Sequence, residues 1–230
     1  MWTFRSGQLR AAREAAGLTQ QDAGKRLGVS QAYLALIEGG RRSLTDALGF
    51  QMVNLYHLPP TDLPLETSGL NAWESASIAK AIANLGYSGF RQLRRGKPKN
   101  PAVVLLGAIS CPDLEVRVVE SLPWLALEYP DLDWEWLARE AKVRDVQNRL
   151  GFVVTLGRSV SERRRAEVVH RKLRQVEDVL ECSRLVREDT LCQDSLSGAE
   201  RRWLRRERPA EARHWNLLTD LDAERLPYAA

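Results

Sequence analysis

Residues 7–40 contain two short segments that each begin with a helix-capping residue and are separated by a four-residue turn. Thr19 stands three residues before Asp22, and in this arrangement the two side chains cap the start of a helix. Gly28 readily takes the left-handed conformation that ends a helix, and Ser30 is a preferred cap for the next one. The sequence therefore predicts two short helices that meet at an angle across a tight turn.

The second of these helices divides its side chains between two faces. Leu34 and Ile37 fall on the face that would pack against a core, whereas Gln31, Ala32 and Leu36 fall on the other. We therefore expect the Gln31, Ala32 and Leu36 face to be exposed and open to contact from outside.

Charge is distributed unevenly along the 230 residues, whose net charge is +4 and whose pI is about 9.1. Residues 1–60 hold seven basic against four acidic side chains, and residues 91–99 add five basic side chains and no acid. From residue 102 onward the chain carries 21 basic and 23 acidic side chains. The positive potential is thus concentrated in the first 100 residues, which permits nucleic-acid binding there.

The three cysteines are odd in number and form no CxxC pair, a pattern typical of a reducing compartment without a disulfide framework or zinc cluster. The N-terminus has no signal-peptide pattern, and the longest apolar run, residues 102–109, is far shorter than the roughly 20 residues that span a bilayer. We expect a cytoplasmic protein.

No residue pattern indicates an enzyme. Asp131, Asp133 and Glu135 lie close together, but acids in a first turn favour a helix start over a catalytic pair. None of the three histidines is followed by a second metal ligand three or four residues later: His57, His170 and His214. We therefore expect no catalytic residues, no cofactor and no metal.

Helix signals dominate the chain, so the expected fold class is all-α, with an N-terminal helical domain followed by a larger helical domain. A first helix is predicted over 6–16, a capping pattern at Ser43–Asp46 opens another, and Pro59-Pro60 halts it. Three segments follow from these signals: a first domain at 1–66, a helix and basic connector at 67–101, and a helical dimerisation or partner-binding domain at 102–230.

Residues 6–64 resemble the Xre family of helix-turn-helix domains, which includes phage repressors and Cro. The matching residues are Leu9-Arg10, Arg13, Gly17-Leu18-Thr19-Gln20, Leu27-Gly28-Val29-Ser30, Ile37-Glu38, Gly40, Leu44 and Leu48. The resemblance implies five packed helices that bind double-stranded DNA. The DNA-binding residues that it implies are Thr19, Gln20, Ser30, Gln31, Ala32, Tyr33, Leu36, Arg41 and Arg42.

The implied roles divide between phosphates and bases. Gln20 would contact phosphate, and Arg41 and Arg42 would contact the sugar-phosphate backbone. Gln31 would pair with adenine, while Ala32 or Leu36 would contact a thymine methyl group.

The first domain departs from the family pattern in two ways. Gly24 stands where the family has alanine, at a cost of about 1 kcal/mol in a helix interior. The reading face has no arginine or lysine, so specific affinity would need a dimer or contacts outside the domain. The alternative to DNA binding is a protein-interaction module.

A second resemblance covers about a dozen residues in the larger domain. Arg149-Leu150-Gly151-Phe152 is similar to an Arg-Leu-Gly-aromatic element of antitoxins that accompany nucleotidyltransferase-type toxins. It implies an autoregulating antitoxin, a dimeric repressor that also binds a toxin, through apolar, tryptophan-rich surfaces of residues 102–160. The alternative is a one-component regulator whose helical domain senses a small molecule. The basic tract, residues 91–99, either contacts further phosphates or is a solvated linker.

Overall fold

The computed structural model describes Phe4, residues 7–66 and residues 73–229. These residues form helices and loops, with two strands of only two residues each, so the all-α prediction is confirmed. They divide into two compact units, residues 1–66 and residues 67–230. No helix within the described ranges combines the length and apolarity needed to cross a membrane.

Residues 7–66, the continuous described part of the first unit, form four α-helices and one 3₁₀ turn. Their bounds are α1, Gln8–Ala15; α2, Gln20–Leu27; α3, Gln31–Glu38; α4, Asp46–Tyr56; and the 3₁₀ turn, Pro60–Asp62. The first helix begins later than predicted, at Gln8, and Ser6 lies outside the described residues. The fifth predicted helix is only one 3₁₀ turn, since Pro59 and Pro60 cannot continue an α-helix.

The predicted caps of α2 and α3 are confirmed. The Thr19 hydroxyl accepts a hydrogen bond from the Asp22 amide at 3.1 Å, and the Ser30 hydroxyl accepts one from the Tyr33 amide at 3.1 Å. Between them Gly28 has a φ of 69°, the left-handed conformation that ends α2. At α4 the cap is Thr45 and not Ser43, so that helix begins two residues later than the sequence pattern indicated.

The second unit is built from eight further α-helices. Their bounds are α5, Ser75–Asn84; α6, Pro101–Ser110; α7, Val116–Glu128; α8, Trp134–Val143; α9, Gln147–Arg163; α10, Glu167–Glu181; α11, Gly198–Glu207; and α12, Ala210–His214. The 3₁₀ segments are Ser88–Leu93 and Ala223–Arg225. Strand β1, Asp189–Thr190, pairs in parallel with β2, Leu217–Leu218.

Two predicted helix starts in this unit have clear outcomes. The helix predicted within residues 67–101 begins at Ser75, with Glu74 as its cap. The Asp133 carboxylate caps α8 by accepting a hydrogen bond from the Trp136 amide at 3.0 Å. The helix-start interpretation of the acidic cluster is therefore confirmed.

Helix α9 forms the centre of the second unit. It packs against α6, α7, α8, α10 and α12, and residues 147–157 are all buried. Residues 101–109 of α6 are buried as well. The prediction that the apolar segments of residues 102–160 form a partner-binding surface is wrong for these two stretches, because the chain's own body already covers them.

The spaced apolar residues of α10 face the same core. Leu173 and Leu180 are fully buried, and Leu173 approaches Gly157 of α9, whereas Val169 and Val176 are half-buried. This row of apolar side chains on α10 therefore packs against α9.

Arg149, in α9, joins three parts of the second unit although its side chain is only 6% exposed. Its guanidinium donates to both carboxylate oxygens of Asp189, at 2.8 and 2.9 Å, and to Asp194 at 3.1 Å. It also donates to the carbonyl oxygens of Ile109 and Cys111, at 3.2 and 2.9 Å. A buried guanidinium needs such acceptors, so Arg149 fixes the end of α6 and the β1 segment against α9.

Gly151 provides the space that Trp215 occupies. A Cβ atom at Gly151 would lie 2.4 Å from the Trp215 ring, which is fully buried and donates from its indole nitrogen to the Thr155 hydroxyl at 2.8 Å. The Arg-Leu-Gly-aromatic element therefore has a packing role within this chain.

We expect Gly151→Ala to destabilise the second unit by about 1–3 kcal/mol, because the hydrogen-bonded Trp215 ring would have to shift. Gly157→Ala in the same helix is the matched control, since the nearest atom there is the terminal methyl group of Leu173 at 3.3 Å, a much less severe approach. Denaturant unfolding of both variants measures the difference. Equal stability of the two variants would contradict the assigned packing.

Candidate nucleic-acid interface

The predicted division of α3 into two faces is confirmed. Leu34 and Ile37 are 0% and 4% exposed, whereas Gln31, Ala32 and Leu36 are exposed. These three side chains therefore form one open surface, with a single polar group that can donate and accept hydrogen bonds.

Two flanking residues serve mainly to position this surface. The Ser30 hydroxyl is occupied as the cap of α3, and Tyr33, whose amide donates to it, is half-buried. Gly24 allows the α2 backbone to approach the turn, since a Cβ atom there would lie 2.8 Å from the Val29 carbonyl oxygen. The Gly24 departure from the family pattern is thus matched by a close backbone contact.

A buried ion pair fixes α3 relative to α1. The Arg13 guanidinium donates to the two carboxylate oxygens of Glu38 at 2.7 and 3.2 Å, and both side chains are less than 10% exposed. A further guanidinium nitrogen donates to the Leu18 carbonyl oxygen at 2.7 Å. The hydrogen bonds that Arg13 donates to Glu38 raise the pKa of Arg13, with burial acting in the opposite direction. The pair therefore joins α1, the turn after it and the end of α3.

Gln20 belongs to this internal network in the structure. Its amide nitrogen donates to Glu38 at 2.9 Å, so this group is turned toward the protein. Thr19 is similarly engaged: its hydroxyl donates to the Asp22 carboxylate at 2.6 Å in addition to capping α2. The phosphate contact predicted for Gln20 and the DNA contact predicted for Thr19 would therefore use remaining donors or require these side chains to turn outward.

The residue patterns did not predict that Arg13 and Glu38 form a buried ion pair. Both were part of the family resemblance, and a charged residue on the inner face of a short helix is the signal that indicates a buried partner. Tyr56 lies beside this pair, and burial, followed by the Glu38 charge, raises the pKa of its phenol to about 12. The phenol therefore stays neutral next to the carboxylate.

Arg41 and Arg42 follow α3 after two glycines. Both side chains are exposed, and neither forms an ion pair with an acid in the described ranges. Gly40 has a φ of 69°, and the Arg41 amide donates to the Leu36 carbonyl oxygen at 2.8 Å. The chain direction after α3 is thus fixed, and two cations lie immediately beyond its C-terminal end.

We expect Glu38→Gln to lower the free energy of unfolding of the first unit by about 3 kcal/mol or more, because it removes the buried carboxylate that pairs with Arg13. Glu14→Gln is the matched control. Glu14 also contacts Arg13 but is 52% exposed, so its replacement should lower the free energy of unfolding far less. Thermal unfolding of the full chain followed by circular dichroism compares the two, and equal losses would contradict the role assigned to the Arg13–Glu38 pair.

A comparison with known protein families matches the same part of the chain that contains the candidate interface. Residues 6–65 match the family model of a helix-turn-helix domain. No curated protein and no solved structure matches the chain. The matched segment contains all four helices of the first unit and every residue of the candidate interface. It supports a DNA-binding protein that regulates transcription.

Proposed function

We propose that this protein is a sequence-specific transcriptional repressor that reads duplex DNA through the exposed face of α3. The observation that carries the proposal is that Gln31, Ala32 and Leu36 are exposed on a helix whose other face is buried and locked by the Arg13–Glu38 pair. The major groove of B-DNA is wide enough to admit such a helix. A rigidly held helix fits this role because sequence readout depends on precise placement of a few side chains.

Each exposed side chain has a matching base contact. The Gln31 amide both donates and accepts, as adenine N6 and N7 require, and the Ala32 and Leu36 side chains match a thymine methyl group. Arg41 and Arg42 supply phosphate contacts, which add affinity on any sequence. The regulator needs no catalytic residue for this activity.

We propose that part of the affinity comes from a second copy of this surface. The exposed α3 face carries no arginine or lysine, so one head makes few strong base contacts. A homodimer on an inverted-repeat operator would double them, with half-sites about one helical turn apart. Light scattering on the full chain tests the dimer, and operator selection from a randomised duplex pool tests the repeat.

The specific subtype that we propose is an autoregulating antitoxin that also binds a toxin. Its support is the resemblance at Arg149–Phe152, in a helical body that follows a DNA-binding head. Because α6 and the first part of α9 are buried, a toxin would contact other surfaces of that body. Co-expression with a neighbouring nucleotidyltransferase gene tests this proposal: growth arrest that the chain relieves supports it, and unrelieved arrest contradicts it.

A small-molecule sensor is the second candidate, and one cavity favours it. A cavity of about 470 Å³ lies between α8 and α10. Its lining is largely apolar and includes Leu132, Trp134, Ala138, Val176 and Val179. This volume is within the range of small-molecule sites. Ligand-dependent change of operator affinity, abolished by Ala138→Trp, would favour the sensor over the antitoxin.

We expect Gln31→Ala to cost about 1–3 kcal/mol of binding to a selected operator and to relax discrimination at one base position. Gln51→Ala is the matched control, because Gln51 is exposed on α4, away from the α3 face in sequence. Fluorescence anisotropy on selected and random duplexes measures both. Equal loss on the two duplexes would exclude the base readout assigned to Gln31.

We expect Arg41→Glu to weaken binding to selected and random duplexes alike and to reduce the salt dependence of binding by about one phosphate contact. The same charge reversal at Arg174, which is exposed on α10, is the control. Binding titrations at several salt concentrations give the slope for each variant. A loss confined to the selected operator would show that Arg41 reads sequence.

A further inference from the structure

The most basic stretch of the chain lies in the second unit, outside the DNA-binding head. Residues 75–112 contain no acidic side chain and six basic ones, five of them in the basic tract, residues 91–99. The rest of the chain carries 28 basic and 30 acidic side chains. Without this one stretch the protein would therefore have no net positive charge.

The structure places these charges on the surface. Residues 91–97 are all exposed, and so is Lys99. Arg91, Arg94 and Arg95 form no ion pair with a carboxylate of the described ranges. Many other arginines do pair with a carboxylate, among them Arg10, Arg144, Arg163, Arg184 and Arg205.

The tract is anchored at its beginning by aromatic packing. Tyr87 and Phe90 are 6% and 7% exposed, with ring centroids 5.3 Å apart. The Tyr87 ring also contacts Trp124 and Tyr228, with centroids 5.2 and 6.0 Å away. Arg91 therefore follows directly from a fixed point in the core of the second unit.

The middle and end of the tract are held as well. A Cβ atom at Gly96 would lie 3.0 Å from the Asn84 side chain, so the tract passes closely over the end of α5. The Lys99 ammonium lies 4.6 Å from the centre of the Trp73 ring, and the buried Asn100 caps α6. A solvated linker would lack these contacts, so the linker interpretation of the tract does not fit its structure.

We propose that the basic tract is a second phosphate-binding surface, which contacts the backbone of duplex DNA through Arg91, Arg94 and Arg95. This inference rests on the proposed function, since it assigns a second contact to the same DNA ligand. The anchored backbone fixes where these three exposed arginines stand, and a guanidinium group can donate two parallel hydrogen bonds to phosphate oxygens. Phosphate contacts carry no sequence information, so the tract would raise affinity equally on all duplexes.

The composition of the surface favours nucleic acid over an acidic protein. Protein interfaces bury a central set of apolar and aromatic side chains. Within the exposed part of the tract the one large apolar side chain is Leu93, which is 38% exposed, and the aromatic residues beside it are turned inward. Charge without an exposed apolar centre is what a phosphate backbone requires.

The test compares two double variants of the full chain. Arg94→Ser with Arg95→Ser removes two charges from the tract, and Arg171→Ser with Arg174→Ser removes two exposed charges from α10. The probes are 40-base-pair duplexes, one selected by the wild-type chain from a randomised pool and one of random sequence. Dissociation constants are measured by anisotropy between 50 and 300 mM NaCl, and circular dichroism confirms that each variant is folded.

For the tract variant we expect the slope of log affinity against log salt to fall by about 1–2, since each phosphate contact contributes about 0.9. Affinity at low salt should fall by the same factor, about fivefold or more, on both duplexes. The α10 variant should keep the wild-type slope. In the opposite direction, Gln92→Lys adds a charge to the same exposed surface and should steepen the slope by about 1.

The outcomes separate this inference from the proposed function. If the wild-type chain binds the selected duplex and Gln31→Ala weakens it, but the tract variants keep the wild-type slope, the second surface is excluded and the α3 readout stands. Equal loss in the tract and α10 variants would indicate a general charge effect and also exclude it. A slope change seen with RNA but absent with DNA would assign the tract to RNA and overturn the proposal. A wild-type chain that binds no duplex overturns both.

Discussion

A buried guanidinium must be fully supplied with hydrogen-bond acceptors, and both units of this protein are organised around that requirement. In the first unit Arg13 takes acceptors from Glu38 and Leu18, and in the second unit Arg149 takes them from Asp189, Asp194 and two carbonyl groups of the α6 end. An unpaired charge at either position would cost several kcal/mol. Each arginine therefore fixes the relative positions of segments that are far apart in the sequence.

The arrangement of the first unit follows from this constraint and explains its suitability for DNA. Glu38 is the last residue of α3, so its pairing with Arg13 fixes that helix while leaving the Gln31 and Leu36 face exposed. The same face has no cation, so in the proposed complex with DNA the base contacts and the phosphate contacts come from different residues. Arg41 and Arg42 beyond α3, together with the anchored cations of the basic tract, would supply the affinity that α3 lacks.

In the second unit, packing accounts for the element at Arg149–Phe152. Arg149 is the hydrogen-bonded centre, Gly151 makes room for Trp215, and Phe152 is fully buried. The residues of this element therefore hold the helical body together, and a partner or ligand must bind to other surfaces. The cavity between α8 and α10 is one such surface that the structure provides.

The sequence by itself determined the features that depend on neighbouring residues: the caps at Thr19 and Ser30, the left-handed Gly28, and the two faces of α3. Local hydrogen bonds and helical spacing decide these, so they are readable from a short segment. Only the tertiary structure decided the pairing of Arg13 with Glu38, the inward turn of Gln20 and the burial of residues 101–109. A charged side chain acquires its partner, and a uniformly apolar helix acquires its surroundings, from residues that are distant along the chain, and no local pattern records that distance.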